Sequence, residues 1–146
     1  MDEAPSVVWM PGGVRTEIHL DRVDTQGAFC LLVDHPPVGW SLPPHVHHGV
    51  AETIHIVDGE FELMLGGRRF RLVPGQTIHV PADMIHSTSN VGAGPGQRVL
   101  IFSPAGMEEF FLQAGAPSAE AEVDGAAVVA AAVRHGWEFV PDAVQG

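Results

Sequence analysis

The sequence predicts an all-β domain with a helical appendage at its C-terminal end. Three observations carry this. From Val7 to about Phe102, short apolar runs alternate with turn dipeptides at roughly ten-residue intervals, as in sandwiches and barrels. The 17 glycines and 12 prolines supply the turns. After Ser103-Pro104 the β-type alternation gives way to helix-like spacing. One domain is expected over 1–146, against a prior of about 100–200 residues per domain, with the β body at about 7–102 and the helical segment at about 104–140.

Val14 to Leu20 alternates, with Glu17, His19 and Asp21 on one face and Thr16, Ile18 and Leu20 on the other, and reads as a half-exposed edge strand. Thr53 to Val57 runs into Asp58-Gly59, Phe61 to Leu65 into Gly66-Gly67, and Phe70 to Val73 into Pro74-Gly75. The first two dipeptides suit tight turns with positive φ, so an antiparallel meander is expected. Met107 to Leu112 followed by Gly115 predicts a short helix. A second helix is expected from an Asp124 N-cap through Arg134, stopped by Gly136. The helices are too short to form a domain and are expected to pack on the β body, over one mouth of it.

Composition excludes several activities. The net charge of −11 repels phosphate backbones and anionic lipids, and only the Arg68-Arg69-Phe70-Arg71 run is locally basic, so neither nucleic acid nor a membrane surface is an expected partner. All seven cations are arginines and there is no tyrosine, which removes Schiff-base, P-loop-lysine and tyrosyl chemistry. Cys30 is the single cysteine, leaving no thiolate zinc cluster or redox dithiol. Met1 to Pro11 carries two acids and no basic residue, unlike a signal peptide, and the expected location is cytoplasmic.

Six of the nine histidines fall between His45 and His86, a clustering that solubility does not require. His45 and His47 are two apart, so on an extended chain both imidazoles leave the same face and can converge on one metal ion. Glu52 follows His47 at an odd offset and returns to that face only if the chain bends, which Gly49 permits. His86 joins them only if its strand lies beside theirs. His48 and His55 have the wrong parity for the interior. His79, beside Thr77 on its strand face, reads equally as exposed or as supporting the site, and Asn90 is expected to brace a turn.

These residues resemble the cupin superfamily, in particular small single-domain bacterial members labelled quercetin-dioxygenase-like. The first motif of that family is matched at every spacing by Gly39, His45, His47, Glu52 and Gly59, and the second by Gly75, Pro81, His86 and Asn90. Asp83 stands where the second motif has its middle glycine, a turn position at which aspartate tolerates left-handed geometry. The resemblance implies a small double-stranded β-helix, or jelly-roll, barrel in which His45, His47, Glu52 and His86 hold one divalent transition metal: Fe, Mn, Ni, Co, Cu or Zn. It also implies a homodimer formed through outer sheets.

With Glu52 inward, alternation brings Ile54 and Ile56 inward, and Phe61, Leu63, Phe102, Met107 and Phe110 become neighbours that read first as core and second as substrate wall. No arginine falls at a predicted inward position. An apolar pocket at an open metal site suits a small aromatic, enolic or otherwise chelating carbonyl compound. Three functions follow: a dioxygenase, with dioxygen as second substrate and Glu52 as ligand and base; a non-redox isomerase, cyclase, dehydratase or decarboxylase; and a small-molecule binding module.

Overall fold

A computed structural model describes residues 4–140, so the predicted domain limits run past the described residues at both ends. Two antiparallel sheets face one another. The first holds β1 (Ser6–Met10), β2 (Val14–Leu20), β3 (Cys30–His35), β5 (Ala51–Asp58), β8 (Thr77–Val80) and β10 (Gln97–Ser103), in the order β1-β2-β3-β10-β5-β8. The second holds β4 (Ser41–His47), β6 (Phe61–Leu65), β7 (Arg68–Leu72), β9 (His86–Asn90) and β11 (Trp137–Phe139), in the order β11-β4-β9-β6-β7. Helices α1 (Met107–Ala114) and α2 (Gly125–Arg134) lie between β10 and β11 in the chain. The fold is all-β with a small helical part, as expected.

Period-two burial makes the core. In β5, Glu52, Ile54 and Ile56 are buried while Ala51, Thr53 and His55 are half-buried, and β9 and β10 alternate in the same way. Cys30, Leu32, Ile54, Ile56, Phe61, Leu63 and Leu100 fill the space between the sheets. Burial pushes the Cys30 thiol up to about 12, with the nearby Glu108 carboxylate adding to the shift, so this cysteine is an inert core residue.

Several sequence expectations need correction. β2 is not an edge strand: β1 pairs along one side of it and β3 along the other, and β1 takes the edge. Its polar face nevertheless alternates as expected, with Glu17 accepting from His19 and His35. Of the three turn dipeptides singled out above, Gly66-Gly67 alone closes a hairpin, joining β6 to β7 with φ of 55° and 82°, as a primed two-residue turn requires. Asp58-Gly59 and Pro74-Gly75 instead carry the chain from one sheet to the other, so the meander is broken at both points. A positive-φ dipeptide signals the reversal, whereas packing of the next strand decides which sheet receives it.

The C-terminal region is helical as far as Arg134, and the Asp124 side chain caps α2 as expected, accepting from the Ala126 and Ala127 amides. Beyond Gly136, at φ 85°, the chain re-enters the second sheet as β11 beside β4, where a continued helical segment was expected. Among the described residues no helix is long and apolar enough to cross a membrane. Removing the cap with Asp124→Ala is expected to lower stability by about 1 kcal/mol, read as a lower urea midpoint with unchanged slope.

Candidate metal centre

Local chain geometry explains how three imidazoles meet. In β4 the register against β9 slips between Leu42↔Thr88 and His45↔His86, so two residues of β4 oppose one of β9. This bulge falls at Pro43-Pro44, which offer no amide protons to the ladder. By adding one residue it reverses the parity, so that Leu42 and both His45 and His47 face the interior. His86 is the direct cross-strand partner of His45, which answers the requirement that its strand lie beside theirs.

Glu52 arrives by a different route from the one expected. β4 and β5 belong to opposite sheets, and Gly49, at φ 74°, sits in the turn that takes the chain across. Glu52 therefore faces His47 across the interior. Asp83 adopts φ 66°, the left-handed geometry expected of the residue standing in for glycine, and its carboxylate accepts from the Gly49 amide. One aspartate thus holds the crossing turn and the turn leading to His86 together.

The imidazoles of His45, His47 and His86 are 1, 3 and 2% exposed, and one ring nitrogen from each lies within 4.8 Å of the others. His45 Nδ1 donates to the Pro43 carbonyl at 2.7 Å and His86 Nδ1 to the Met84 carbonyl at 3.1 Å. A proton held on Nδ1 leaves Nε2 with its lone pair free, the tautomer a metal ligand needs. Burial, with His86 and His47 alongside, pushes the His45 imidazole down to about 3, so it is neutral at physiological pH.

Glu52 Oε1 lies 3.5 Å from His47 Nε2 and 3.4 Å from His86 Nε2. Burial alone raises a carboxyl group, but the His47 and His86 imidazoles beside it outweigh that and hold Glu52 well below the usual carboxylate range. Donor atoms about 2.1 Å from one ion are separated by roughly 3.0–3.4 Å, so these spacings suit a shared cation. A further fit comes from His86 Nε2, which is buried with no hydrogen-bond partner, a costly state for a polar atom unless a ligand completes it. Neutral imidazoles and a carboxylate are a donor set for first-row divalent metals.

Trp137 is the site residue that sequence reading missed. It stacks on His45 at 4.9 Å and 17° and meets His47 edge-on at 4.4 Å, while its indole N–H donates to Met107 Sδ. A three-residue strand after a helix leaves only Trp-x-Phe alternation as a signal, and that is too short to read.

His47 and Glu52 open onto a cavity of about 700 Å³, within the roughly 300–1,000 Å³ of small-molecule sites. Its walls are mostly apolar. Phe102, Phe110 and Phe111 contribute, and Val128 and Val129 of α2 help to enclose it, as expected of helices over one mouth. Of the predicted wall residues, Phe102 and Phe110 line the cavity, whereas Ile54, Ile56, Phe61, Leu63 and Met107 are core. His48 and His79 are exposed, and His55 is half-buried and bonded to Thr77 outside the site. Asn90 braces turns, donating to Pro36, Pro37 and Gly94.

The absence of an inward arginine is overturned. Arg98 is 4% exposed, lines the cavity and forms a two-pronged pair with Asp34. Alternation along β10 would have placed it on the face of Leu100 and Phe102, and its charge concealed that.

The Cupin domain family model matches residues 31–102. This is a small cupin-superfamily protein. Quercetin 2,3-dioxygenase of Bacillus subtilis is 29% identical over 94 residues, which are 64% of this chain and 28% of that protein. "Polyketide synthase CurC" of Streptomyces cyaneus is 32% identical over 80 residues, 55% of this chain and 51% of that one. The chain thus spans about a quarter and a half of the curated relatives it matches. Among solved structures, an RmlC-like cupin from Shewanella frigidimarina superposes with a TM-score of 0.63 at 19% identity, covering 75% of this cupin and 92% of that chain.

The stacking of Trp137 on His45 gives this cupin an optical reporter. Titration with Co²⁺ or Ni²⁺ is expected to quench tryptophan emission, saturating near one ion per chain. Trp137→Phe should lose most of that quenching while still binding one ion by elemental analysis.

Proposed function

We propose that this cupin is a metal-dependent enzyme acting on a hydroxylated aromatic or enolic compound, with quercetinase-like dioxygenation as its reaction. The observation that carries the reading is the position of the three imidazoles and the Glu52 carboxylate at one end of an apolar, aromatic-walled cavity. His45, His47, His86 and Glu52 would hold one divalent metal. Such an ion supplies Lewis acidity and, when redox-active, a route for dioxygen chemistry.

The remaining work falls to the chain. The Pro43 and Met84 carbonyls orient two imidazoles before substrate arrives, which lowers the reorganisation needed during reaction. Phe102, Phe110 and Phe111 pack against ring faces and keep water from the reacting end. Glu52, held ionised, accepts the proton of the substrate hydroxyl, so the substrate reacts as its enolate or phenolate. The distant similarity to quercetin 2,3-dioxygenase supports the same class of substrate and reaction.

A second reading is supported by the likeness to the CurC protein: non-redox chemistry such as cyclisation of a polyketide-like carbonyl compound in the same cavity. The two differ in their need for oxygen. Protein loaded in turn with Fe, Mn, Ni, Co, Cu and Zn is incubated with flavonols, and substrate loss and oxygen uptake are followed together. Matching oxygen uptake is expected, with no turnover under strict anaerobiosis; undiminished anaerobic turnover would select the second reading. His86→Ala is expected to lose stoichiometric metal and at least about 100-fold in kcat/KM. Glu52→Gln, which retains shape but not basicity, is expected to lower kcat by about 10²–10⁴.

A further inference from the structure

Besides the histidines and Glu52, the apolar cavity has a polar node made by Arg98, Asp34, Thr88 and Thr16. Arg98 is the cross-strand partner of Asp34 on β3, and its Nε and Nη2 donate to the two carboxylate oxygens at 3.0 and 2.6 Å. The guanidinium also lies over the rings of Trp40 and Phe61, at 4.8 and 5.2 Å from their centroids. Asp34 fixes one edge of the group and the aromatic rings restrain its plane.

The other edge is barely used. Among the described residues its one partner is Thr88 Oγ1, at a long 3.4 Å from Nη1. A guanidinium carries five N–H donors, so at least two remain for a ligand in the cavity that Arg98 lines. A buried ion pair is weak evidence for stability, since well-packed apolar residues of similar volume often serve as well. Its exposure to the cavity with donors to spare points to recognition.

The spacing sets what is recognised. Arg98 Nη1 meets Thr88, which stands two residues from His86 on the same buried face of β9, so the guanidinium lies beside the histidine site. A ligand with one end at the histidines therefore brings its neighbouring atoms to the free edge of Arg98. Resting on the reading of the site given above, we propose that Arg98 is a specificity-determining residue that donates to a phenolic or carbonyl oxygen of the substrate other than those held at the histidines. Asp34 acts as its positioning residue.

The test compares quercetin with 3-hydroxyflavone, which shares its chelating hydroxy-ketone and its length but lacks the distal hydroxyls. Binding of each to the zinc-loaded protein is measured anaerobically by calorimetry, for wild type, Arg98→Lys and the neutral pair Asp34→Asn/Arg98→Gln. The neutral pair avoids a stranded buried charge, and thermal unfolding of each variant reports folding. The expected result is that wild type prefers quercetin by about 10–100-fold, the loss on removing a charged hydrogen bond. Both variants should lose that preference while binding 3-hydroxyflavone as wild type does. Equal wild-type affinity for the two flavonols, or a parallel fall for both in the variants, would overturn the role of Arg98 and leave the metal-site reading standing. Binding of neither flavonol to metal-loaded wild type would remove the aromatic-substrate reading and this inference with it.

Discussion

The rest of this structure depends on holding four polar side chains against one another inside an apolar sandwich. Burying an unpaired polar atom costs about 1–3 kcal/mol, and the interior here contains three imidazoles and a carboxylate. The backbone answers part of that demand through the carbonyls of Pro43 and Met84. Glu52 answers another part by facing His47 and His86. What is left over, most plainly His86 Nε2, is where a cation belongs.

The devices that create this arrangement are local irregularities, not the regular ladder. A two-proline bulge in β4 brings His45 and His47 to the same face as Leu42 and sets His45 opposite His86. Gly49 permits the passage between sheets, and Asp83 ties that passage to the turn before β9. Trp137 then stacks on His45 from a strand that returns after two helices. Stability and chemistry pull in different directions at these points: each interrupts pairing, and each aims a side chain.

The cavity extends the same logic. Besides His47 and Glu52, Arg98 gives the otherwise mostly apolar wall a second polar anchor. Burying the Arg98–Asp34 pair costs desolvation, so it is weak evidence of a purely stabilising role. Such a pair persists most readily where its geometry is put to use, and its free edge faces the cavity.

Much of this was legible in the residues alone. The His-x-His pair, the Asp124 cap and the Gly66-Gly67 turn are local signals, because spacing along a strand or helix dictates direction within a few residues. The sandwich partners were not. Whether Asp58-Gly59 closes a hairpin or crosses between sheets, which strand takes the edge beside β2, and that β11 covers His45 all depend on contacts between segments distant in sequence. Arg98 shows the same limit: a charge reads as surface until a partner such as Asp34, 64 residues away, neutralises it in the interior. The β character follows from residue type and period alone, whereas the meeting of His86 and Glu52 with the His-x-His pair belongs to the folded chain, because burial energy is shared among contacts that no local pattern contains.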